Sequence, residues 1–175
     1  MTLERFEEHT PRVAEGAYVH AAATVIGDVE IGERSSIWPT VVLRGDDGPI
    51  RIGAETSIQD GSVVHMTTGL SEVSIGKRVT VGHKVILHGC VVEDECLIGM
   101  GAIVLDNARI GRGSLVGAGA LVLQNLVVPP GSLVLGSPAK VVRPVNEKEQ
   151  AMIEQGWHEY VERAAQYLAR DAEGS

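Results

Sequence analysis

Residues 98–134 read IGMGAIVLDNARIGRGSLVGAGALVLQNLVVPPGSLV, and every sixth residue of this stretch is aliphatic. The same spacing recurs in three shorter runs, at residues 13–43, 52–64 and 75–87. A period of six fits neither an α-helix nor a simple strand, but it is the repeat of a parallel β-helix, in which each hexapeptide forms one short strand and a turn. We therefore predict an all-β fold, a parallel β-helix of hexapeptide repeats whose aliphatic side chains point inward. The complete series is Val13, Val19, Val25, Ile31, Ile37, Leu43, Ile52, Ile58, Val64, Ile75, Val81, Leu87, Val92, Ile98, Val104, Ile110, Val116, Val122, Val128 and Val134.

The composition fits a narrow prism and limits the classes of partner. Of the 175 residues, 44% are hydrophobic but only 3% are aromatic, as expected where large rings do not fit. The net charge of -8 argues against nucleic-acid binding. No apolar run approaches the roughly 20 residues of a membrane span, and the polar N-terminal residues do not form a signal peptide. We expect a cytoplasmic protein that binds neither nucleic acid nor membrane.

The chain is expected to form one domain with a helical appendage. After an irregular lead-in over residues 1–12, the β-helix should end near residue 140, so we assign residues 1–140 to the β-helix and residues 141–175 to the appendage. Within the appendage, apolar residues at spacings of three and four predict an amphipathic helix over about 147–170, packed on the outside of the prism. Asn146 can cap this helix, whereas Gly156 predicts a kink or break. Residues 171–175 are expected to fray.

Three interruptions break the phase of the repeats. A polar cluster at residues 44–49 predicts a turn that adds three residues. Residues 66–71 predict a loop, and a one-residue slip falls near Cys90. Cys90 and Cys96 lack the spacing of a zinc motif, so we expect them to be free, buried and apolar in behaviour.

The repeat assigns each polar side chain to a position on the prism. Three repeats make one coil, and equivalent positions of successive coils stack about 4.8 Å apart. If residues 66–71 are a bulge rather than a repeat, two columns of polar side chains face outward, the second of them near a corner. The first column consists of Arg44, His65 and His88, and the second of His83 and Asp60 with Gln59 beside it.

The three histidines of these columns predict a metal site shared between subunits. His83 and His88 are separated by roughly 16 Å of extended chain, whereas zinc holds imidazole nitrogens at about 2.0–2.1 Å. One subunit cannot easily bring both together with His65, but two subunits can if each presents one column. A closed ring of three identical subunits repeats that contact three times. Three histidines plus a water form the open, catalytic type of zinc site.

Neighbouring polar residues fit supporting roles. Asp60 can orient a ligand histidine or pair with Arg44 across the interface. Arg44 and Asp46 can form an ion pair between subunits, or a structural salt bridge in a polar turn. The amide of Gln59 can hold a metal-bound water.

At these residues the chain resembles the γ-class carbonic anhydrase-like family of left-handed β-helix proteins, in its short-loop bacterial type. The resemblance extends over essentially the whole chain. The repeat alone is shared with many acyltransferases, whereas the combination of Arg-Gly-Asp, Gln-Asp and three histidines is much more specific. The matching stretches are residues 36–46 (SIWPTVVLRGD), 58–65 (IQDGSVVH), 81–83 (VGH), 88–90 (HGC) and 136–140 (GSPAK), the last followed by a helix.

This resemblance implies left-handed coils, against the usual right-handed crossover rule, and a homotrimer with a metal at each interface. It assigns His65 and His88 to one subunit and His83 to the next. The implied metal is zinc, with iron or cobalt as alternatives, and the implied activity is that of a carbonate dehydratase, a lyase. Zinc lowers the pKa of its water to about 7, so that hydroxide can attack carbon dioxide. The matching network residues are Arg44, Asp46, Gln59 and Asp60, with Tyr160 or Tyr167 as a helix tyrosine near the site.

Two departures from the family pattern keep other reactions open. The best-known active member carries an acidic loop after its first ligand histidine, with a Glu proposed as proton shuttle, but residues 66–69 (MTTG) are short and uncharged. Asp47 stands where the family has a second Glu. The alternatives are a metal-dependent acyl-CoA thioesterase on the same site, a hexapeptide acyltransferase with one His as general base, and a non-catalytic, metal-stabilised assembly subunit.

Overall fold

A computed structural model, which describes residues 2–173, has the chain as a left-handed parallel β-helix of about seven turns with one C-terminal helix. This confirms the predicted fold class. Part of the stretch expected to fray, residues 174–175, lies outside the described residues, whereas residues 171–173 form the end of the helix. No helix in the described part of the chain is long and apolar enough to cross a membrane.

Each turn of the prism adds one short strand to each of three faces. The first face contains β1 (Thr2–Glu4), the first parts of β4 (Thr24–Ile31) and β6 (Val42–Ile52), β8 (Val63–His65), β11 (Ile86–His88), β14 (Ile103–Val104) and β17 (Leu121–Val122). The second face contains β2 (Arg12–Val13), the second parts of β4 and β6, β9 (Val73–Ile75), β12 (Val91–Val92), β15 (Arg109–Ile110) and β18 (Val127–Val128). The third face contains β3 (Tyr18–Val19), β5 (Ser36–Ile37), β7 (Ser57–Ile58), β10 (Thr80–Val81), β13 (Leu97–Ile98), β16 (Leu115–Val116), β19 (Ser132–Gly136) and its edge strand β20 (Ala139–Pro144).

The core of the prism is the predicted series of aliphatic residues. All of its members are buried except Val13 and Val19 in the first coil, which are only partly buried. Small residues fill the space between them, including Cys90 and Cys96, which are free and fully buried, as predicted. Burial raises the pKa of both thiols to about 12, so neither is a nucleophile near neutral pH.

The polar cluster at residues 44–49 is not a turn, as the sequence predicts, but a bulge within β6. Gly27 pairs with Gly45, and the next pair joins Val29 to Ile50, so four residues of β6 oppose one residue of β4. The two strands stay paired through the bulge because neither glycine carries a Cβ; at Gly27 that atom would lie 2.3 Å from the Gly45 carbonyl oxygen. The sheet therefore continues from the first face to the second face without a break.

Both ends of the β-helix extend beyond the predicted bounds. The lead-in is not wholly irregular, because β1 pairs in parallel with β4, with Leu3 opposite Val25. At the other end β20 turns back antiparallel to β19 and continues to Pro144. An antiparallel edge strand thus ends the third face, four residues past the boundary drawn from the repeats.

One continuous helix, α1 (Glu147–Glu173), packs along the third face. Its N-cap is as predicted, since the Asn146 side chain accepts the backbone N–H of Glu149 at 3.0 Å. The expected break at Gly156 is wrong. A Cβ at Gly156 would lie 3.1 Å from the Thr80 hydroxyl, so the glycine allows the helix to lie close against β10. Aromatic packing of Tyr167 on Tyr18, with ring centroids 5.4 Å apart, holds its far end.

A column of alternating charge follows the corner between the second and third faces. Glu55 bonds to Arg34 and, at 2.8 Å, to Arg78. Glu95 lies 3.9 Å from Arg78 and 2.9 Å from Arg112. Five successive coils thus contribute one charge each, with the sign reversing from coil to coil.

Candidate metal centre

The strand register confirms the first predicted column. His65 and His88 pair directly across β8 and β11, and their ring centroids lie 5.4 Å apart. Arg44 occupies the equivalent position of β6 and approaches His65 from the other side, with a nitrogen 3.2 Å from Nδ1. Residues 66–71 are a loop that leaves this register intact, as the prediction required.

His65 is the least exposed of the three histidines, with 12% of its side chain accessible. A guanidinium can only donate, so Nδ1 of His65 accepts from Arg44 and Nε2 carries the proton of the neutral ring. That nitrogen lies 3.2 Å from Asp46 and 3.1 Å from Asp47. The ligand atoms of the two aspartates and of His65 all lie within 4.8 Å of one another, which makes them a candidate cation site within one chain.

Arg44 and Asp46 form an ion pair within the chain, the second of the two alternatives that the sequence left open. Both carboxylate oxygens of Asp46 accept from one guanidinium nitrogen, at 2.9 and 2.7 Å. The reason is local, because alternate residues of a strand point to the same side of the sheet. Burial raises the pKa of Asp46, but the hydrogen bonds and charge of Arg44, a backbone hydrogen bond and the bond to His65 together outweigh it and leave the pKa below its usual value.

His88 is oriented by a carboxylate that the sequence analysis did not identify. Its Nδ1 lies 3.2 Å from both oxygens of Asp106, whose side chain is only 8% exposed. Ser71 donates to the same carboxylate at 2.5 Å. Burial raises the pKa of Asp106, but the bonds from Ser71 and His88 outweigh that effect, so the pKa lies below its usual value. In the next coil the position equivalent to His88 is Leu105, and Asp106 follows it directly. Extending the column by one coil would therefore have identified Asp106 from the sequence.

His83 occupies the predicted second column at the corner between the third and first faces. Its Nδ1 lies 3.0 Å from Asp60, and both side chains are nearly half exposed. Because a carboxylate can only accept, the ring presents Nε2 without a proton when it is neutral. His83 contacts Asp60 rather than the other two histidines, so this single chain does not bring the three together.

Gln59 and Tyr160 lie on the side of the second column. Gln59 follows β7 and is 5% exposed. Tyr160 packs its ring against Trp38, with centroids 5.6 Å apart. Burial raises the pKa of Tyr160; the positive charge of Arg163 offsets part of this rise, and the negative charge of Asp60 adds to it.

The donor set fits a divalent transition metal. His83 and His88 each direct Nδ1 to a carboxylate, the arrangement that fixes the tautomer of metal-binding histidines and frees Nε2 as a ligand. His65 directs Nε2 toward two carboxylates through a proton that a cation can displace. Imidazole ligands suit zinc and iron, whereas the cluster of His65 with Asp46 and Asp47 offers a more oxygen-rich set.

Comparisons with known proteins find relatives over nearly the whole chain. Residues 89–124 match the family model for the bacterial transferase hexapeptide (six repeats). The chain is 49% identical over 164 residues to a Geobacillus kaustophilus protein named carbonic anhydrase, which covers 94% of this chain and 90% of that one. It is 42% identical over 176 residues to gamma carbonic anhydrase 1, mitochondrial, of Arabidopsis thaliana, covering 98% of this chain and 64% of the plant protein.

A solved structure also matches along its whole length. The crystal structure of a Bacillus cereus protein described as a "putative acetyltransferase" has a TM-score of 0.92 and 39% sequence identity, covering 96% of this chain and 97% of that one. A protein described as an acetyltransferase has this fold, so the fold alone does not select the reaction. The sequence identity to the carbonic anhydrases, over nearly all of the chain, nevertheless assigns the family. The chain belongs to the γ-class carbonic anhydrase-like family of hexapeptide-repeat, left-handed β-helix proteins.

Proposed function

We propose that this protein is a zinc enzyme that hydrates carbon dioxide to bicarbonate, with one site at each interface of a homotrimer. The observation that carries the proposal is the neighbouring pair His65 and His88, whose rings lie 5.4 Å apart, together with an exposed third histidine, His83, on a separate column. The metal, when bound, supplies a Lewis acid that makes a water nucleophilic near neutral pH.

The placement of the ligands supports a site shared between subunits. The two columns lie at different places on the prism, and His83 is nearly half exposed, so it is available to another subunit. The outward residues beside the first column are aliphatic and accessible, with Val63 39% and Ile86 38% exposed. An apolar strip next to polar ligands suits a contact between copies, because burying it stabilises the contact.

The remaining site residues have roles in orientation and electrostatics. Asp60 holds Nδ1 of His83, and Arg44 with Asp46 forms a charged frame around His65. The buried amide of Gln59 is suited to hold the attacking water beside the second column. Tyr160, with its raised pKa, stays protonated near neutrality and can donate a hydrogen bond to an anionic product such as bicarbonate.

An acyl-CoA thioesterase is a weaker candidate because of the charge around the site. A groove of about 600 Å³ leads away from Asp47 along the 66–71 loop. It also contains Glu72 and Arg109, and the guanidinium of Arg109 already pairs with Glu93 at 2.8 Å. A coenzyme carrying several phosphates would meet two carboxylates and no free cation among the groove residues.

The hexapeptide acyltransferase remains the second candidate because of the similarity to the Bacillus cereus protein described as a "putative acetyltransferase". That chemistry needs one histidine as general base and no metal. Metal content therefore separates it from the other candidates, and a metal-loaded protein without hydration activity would favour the thioesterase or an assembly subunit.

The deciding experiment measures metal content, oligomeric state and carbon dioxide hydration on anaerobically purified protein. We expect a trimer with one metal per subunit. His83→Ala should lose most of the metal and the activity, whereas His9→Ala, which removes another exposed histidine, should keep both. A monomer in solution, or near-stoichiometric zinc in His83→Ala, would refute the shared site.

Mixed trimers test the sharing directly. Subunits with His65→Ala and subunits with His83→Ala each lack one ligand, but some interfaces of a mixed trimer pair an intact first column with an intact His83. Co-refolded mixtures should therefore regain part of the metal and of the activity. No recovery despite proven mixing would mean that each site lies within one chain.

A further inference from the structure

The side chain of Asp106 forms its hydrogen bonds with residues outside its own turn. It lies in the turn after β14, one coil beyond His88, and is almost fully buried. Besides Nδ1 of His88, its carboxylate accepts from Ser71 at 2.5 Å and from Thr67 at 3.3 Å. One carboxylate therefore joins a proposed metal ligand to both ends of the 66–71 loop.

The 66–71 loop is closed on itself and anchored at two places. Met66 is buried in the prism, with 1% of its surface exposed. The backbone N–H groups of Leu70 and Ser71 both donate to the Thr67 carbonyl, and the Thr67 N–H donates to the Ser71 hydroxyl at 3.2 Å. The second anchor is the pair of bonds to Asp106, which attaches the loop to the coil that follows His88.

Gly89 makes room for this connection. Its φ is +60°, and a Cβ at this position would lie 2.0 Å from the Ser71 hydroxyl and 2.2 Å from an Asp106 oxygen. The Ser71–Asp106 bond therefore passes directly over the backbone next to His88, in space that any side chain at residue 89 would fill.

We infer that Asp106 is a positioning residue that fixes the ring of His88 through Nδ1 and couples its orientation to the 66–71 loop through Ser71. This rests on the proposed function in that His88 is taken as a metal ligand. The other two histidines are held differently. The partner of His83 is Asp60, a nearly half-exposed carboxylate in the same column, and His65 is held by Arg44.

The coupling has a consequence for the groove beside the site. Gly69, Leu70 and Ser71 form part of its wall, together with Asp47 and Gly89. Any occupant that displaces this wall pulls on the Ser71–Asp106 bond and so changes how His88 presents Nε2. The loop is therefore linked to the proposed ligand set mechanically, although it offers no titrating side chain of its own.

The test uses Asp106→Ala, Asp106→Asn and Ser71→Ala in the full trimer, with Asp94→Ala as control. Asp94 also accepts a hydrogen bond in a corner turn, but its partner is the backbone N–H of Lys77, at 2.8 Å, rather than a histidine. The first readout is the ring ¹⁵N spectrum of His88 in metal-free protein, recorded well above the usual imidazole pKa of about 6.5 so that the ring is neutral. The second is the affinity for Zn²⁺, measured by competition with a chelator.

We expect Asp106→Ala to abolish the Nδ1–H tautomer preference of His88 and to weaken zinc binding by about 10–100-fold, the usual loss for such partners. Asp106→Asn should retain most of both, because the amide oxygen still accepts from Nδ1. Ser71→Ala should have an intermediate effect that disappears in the Asp106→Ala background. Asp94→Ala should change neither readout.

An unchanged His88 spectrum in Asp106→Ala would overturn the inference, as would additive effects of Ser71→Ala and Asp106→Ala. If Asp106→Ala fails to fold, Asp106→Asn and Ser71→Ala still decide, because the inference requires them to differ in the direction stated. Wild-type protein that binds no zinc would refute the proposed function instead, while the metal-free spectra still test the coupling.

Discussion

The coils of residues 92–134 and the coils of residues 43–91 are built from the same hexapeptide, yet only the second group carries the three histidines of the candidate site. In the first group the spacing of six never breaks, and the outward residues of the first face are Ile103, Leu105, Leu121 and Leu123. In the second group each interruption contributes to the site. The bulge in β6 brings two aspartates to His65, the 66–71 loop brings Ser71, and the slip brings Gly89.

The comparison with the family model divides the chain in the same way. The hexapeptide match covers residues 89–124, so it begins within the last interruption, at Gly89, and otherwise lies in the regular coils. The regular repeat therefore identifies a scaffold shared with transferases, and the candidate site lies in the coils where the repeat is interrupted. The following changes test whether the scaffold and the candidate site are separate in this way, from the largest expected effect to the smallest.

The largest contrast is expected between two neighbouring residues of β11. His88→Ala should lower metal affinity at least about a hundredfold, because loss of an outer partner alone costs about 10–100-fold. Leu87→Ala, which empties a fully buried position, should cost about 2–5 kcal/mol of stability. Metal titration and denaturant unfolding of both metal-free variants check this. A large loss of stability in metal-free His88→Ala protein would contradict the separation between scaffold residues and site residues.

Turnover should be limited by proton transfer, because neither the 66–71 loop nor Asp47 offers a free shuttle. The loop after His65 carries no titrating group, and Asp47 is held by Thr68 at 2.5 Å and by His65 at 3.1 Å. A positioned acid or base usually contributes about 10²–10⁴-fold, so added imidazole should raise turnover strongly. Carbon dioxide–bicarbonate exchange at equilibrium should change little. Fast turnover without buffer would reveal an internal shuttle.

Two glycines with nearly equal backbone angles sharpen the comparison further. Gly89 (φ +60°) lies in the interrupted coils, and Gly101 (φ +68°) lies in the regular ones, where an added Cβ would meet no described atom within 4 Å. Alanine at Gly101 should cost only the about 1–2 kcal/mol of a left-handed residue. Alanine at Gly89 should cost more and also weaken metal binding, as measured by thermal unfolding and zinc competition. Equal effects would mean that the Ser71–Asp106 crossing has no role.

The smallest effect is expected at the start of α1, away from the site. The hydrogen bonds from Arg143 and from the Asn146 backbone lower the pKa of Glu149 from 4.5 to about 2. A carboxylate with a lowered folded-state pKa stabilises fully above about pH 4.5, and this contribution disappears as the pH falls through about 2. The difference in melting temperature between wild type and Glu149→Gln should shrink over that range, with metal affinity at neutral pH unchanged.

Much of this structure is predictable from sequence because the repeat fixes the position of each side chain. Once Leu43, Val64 and Leu87 are taken as equivalent, the stacking of Arg44, His65 and His88 follows, and the register of β8 and β11 agrees. The interruptions are less predictable. Gly-Asp-Asp-Gly-Pro has the composition of a turn, but pairing with β4 keeps it in the sheet as a bulge.

The repeat also does not predict contacts between residues at non-equivalent positions. Asp106 reaches His88 from the turn of the next coil, and Ser71 reaches Asp106 from a loop, so neither lies in the column that periodicity defines. The continuity of the helix through Gly156 is hidden for a similar reason. Helix propensity penalises that glycine, but its close packing on Thr80 depends on tertiary structure.

The alternating charges along the corner column affect which coils can pair with one another during folding. Because one hexapeptide resembles the next, the aliphatic core alone discriminates poorly between a coil and the one after it. If one coil were looped out, Arg34 would face Arg78 and Glu55 would face Glu95, and like charges in direct contact are destabilising. Each exposed ion pair contributes little to stability by itself. The alternation instead disfavours misassembly. Any arrangement that skips an odd number of coils brings like charges together, whereas the native order pairs opposite charges.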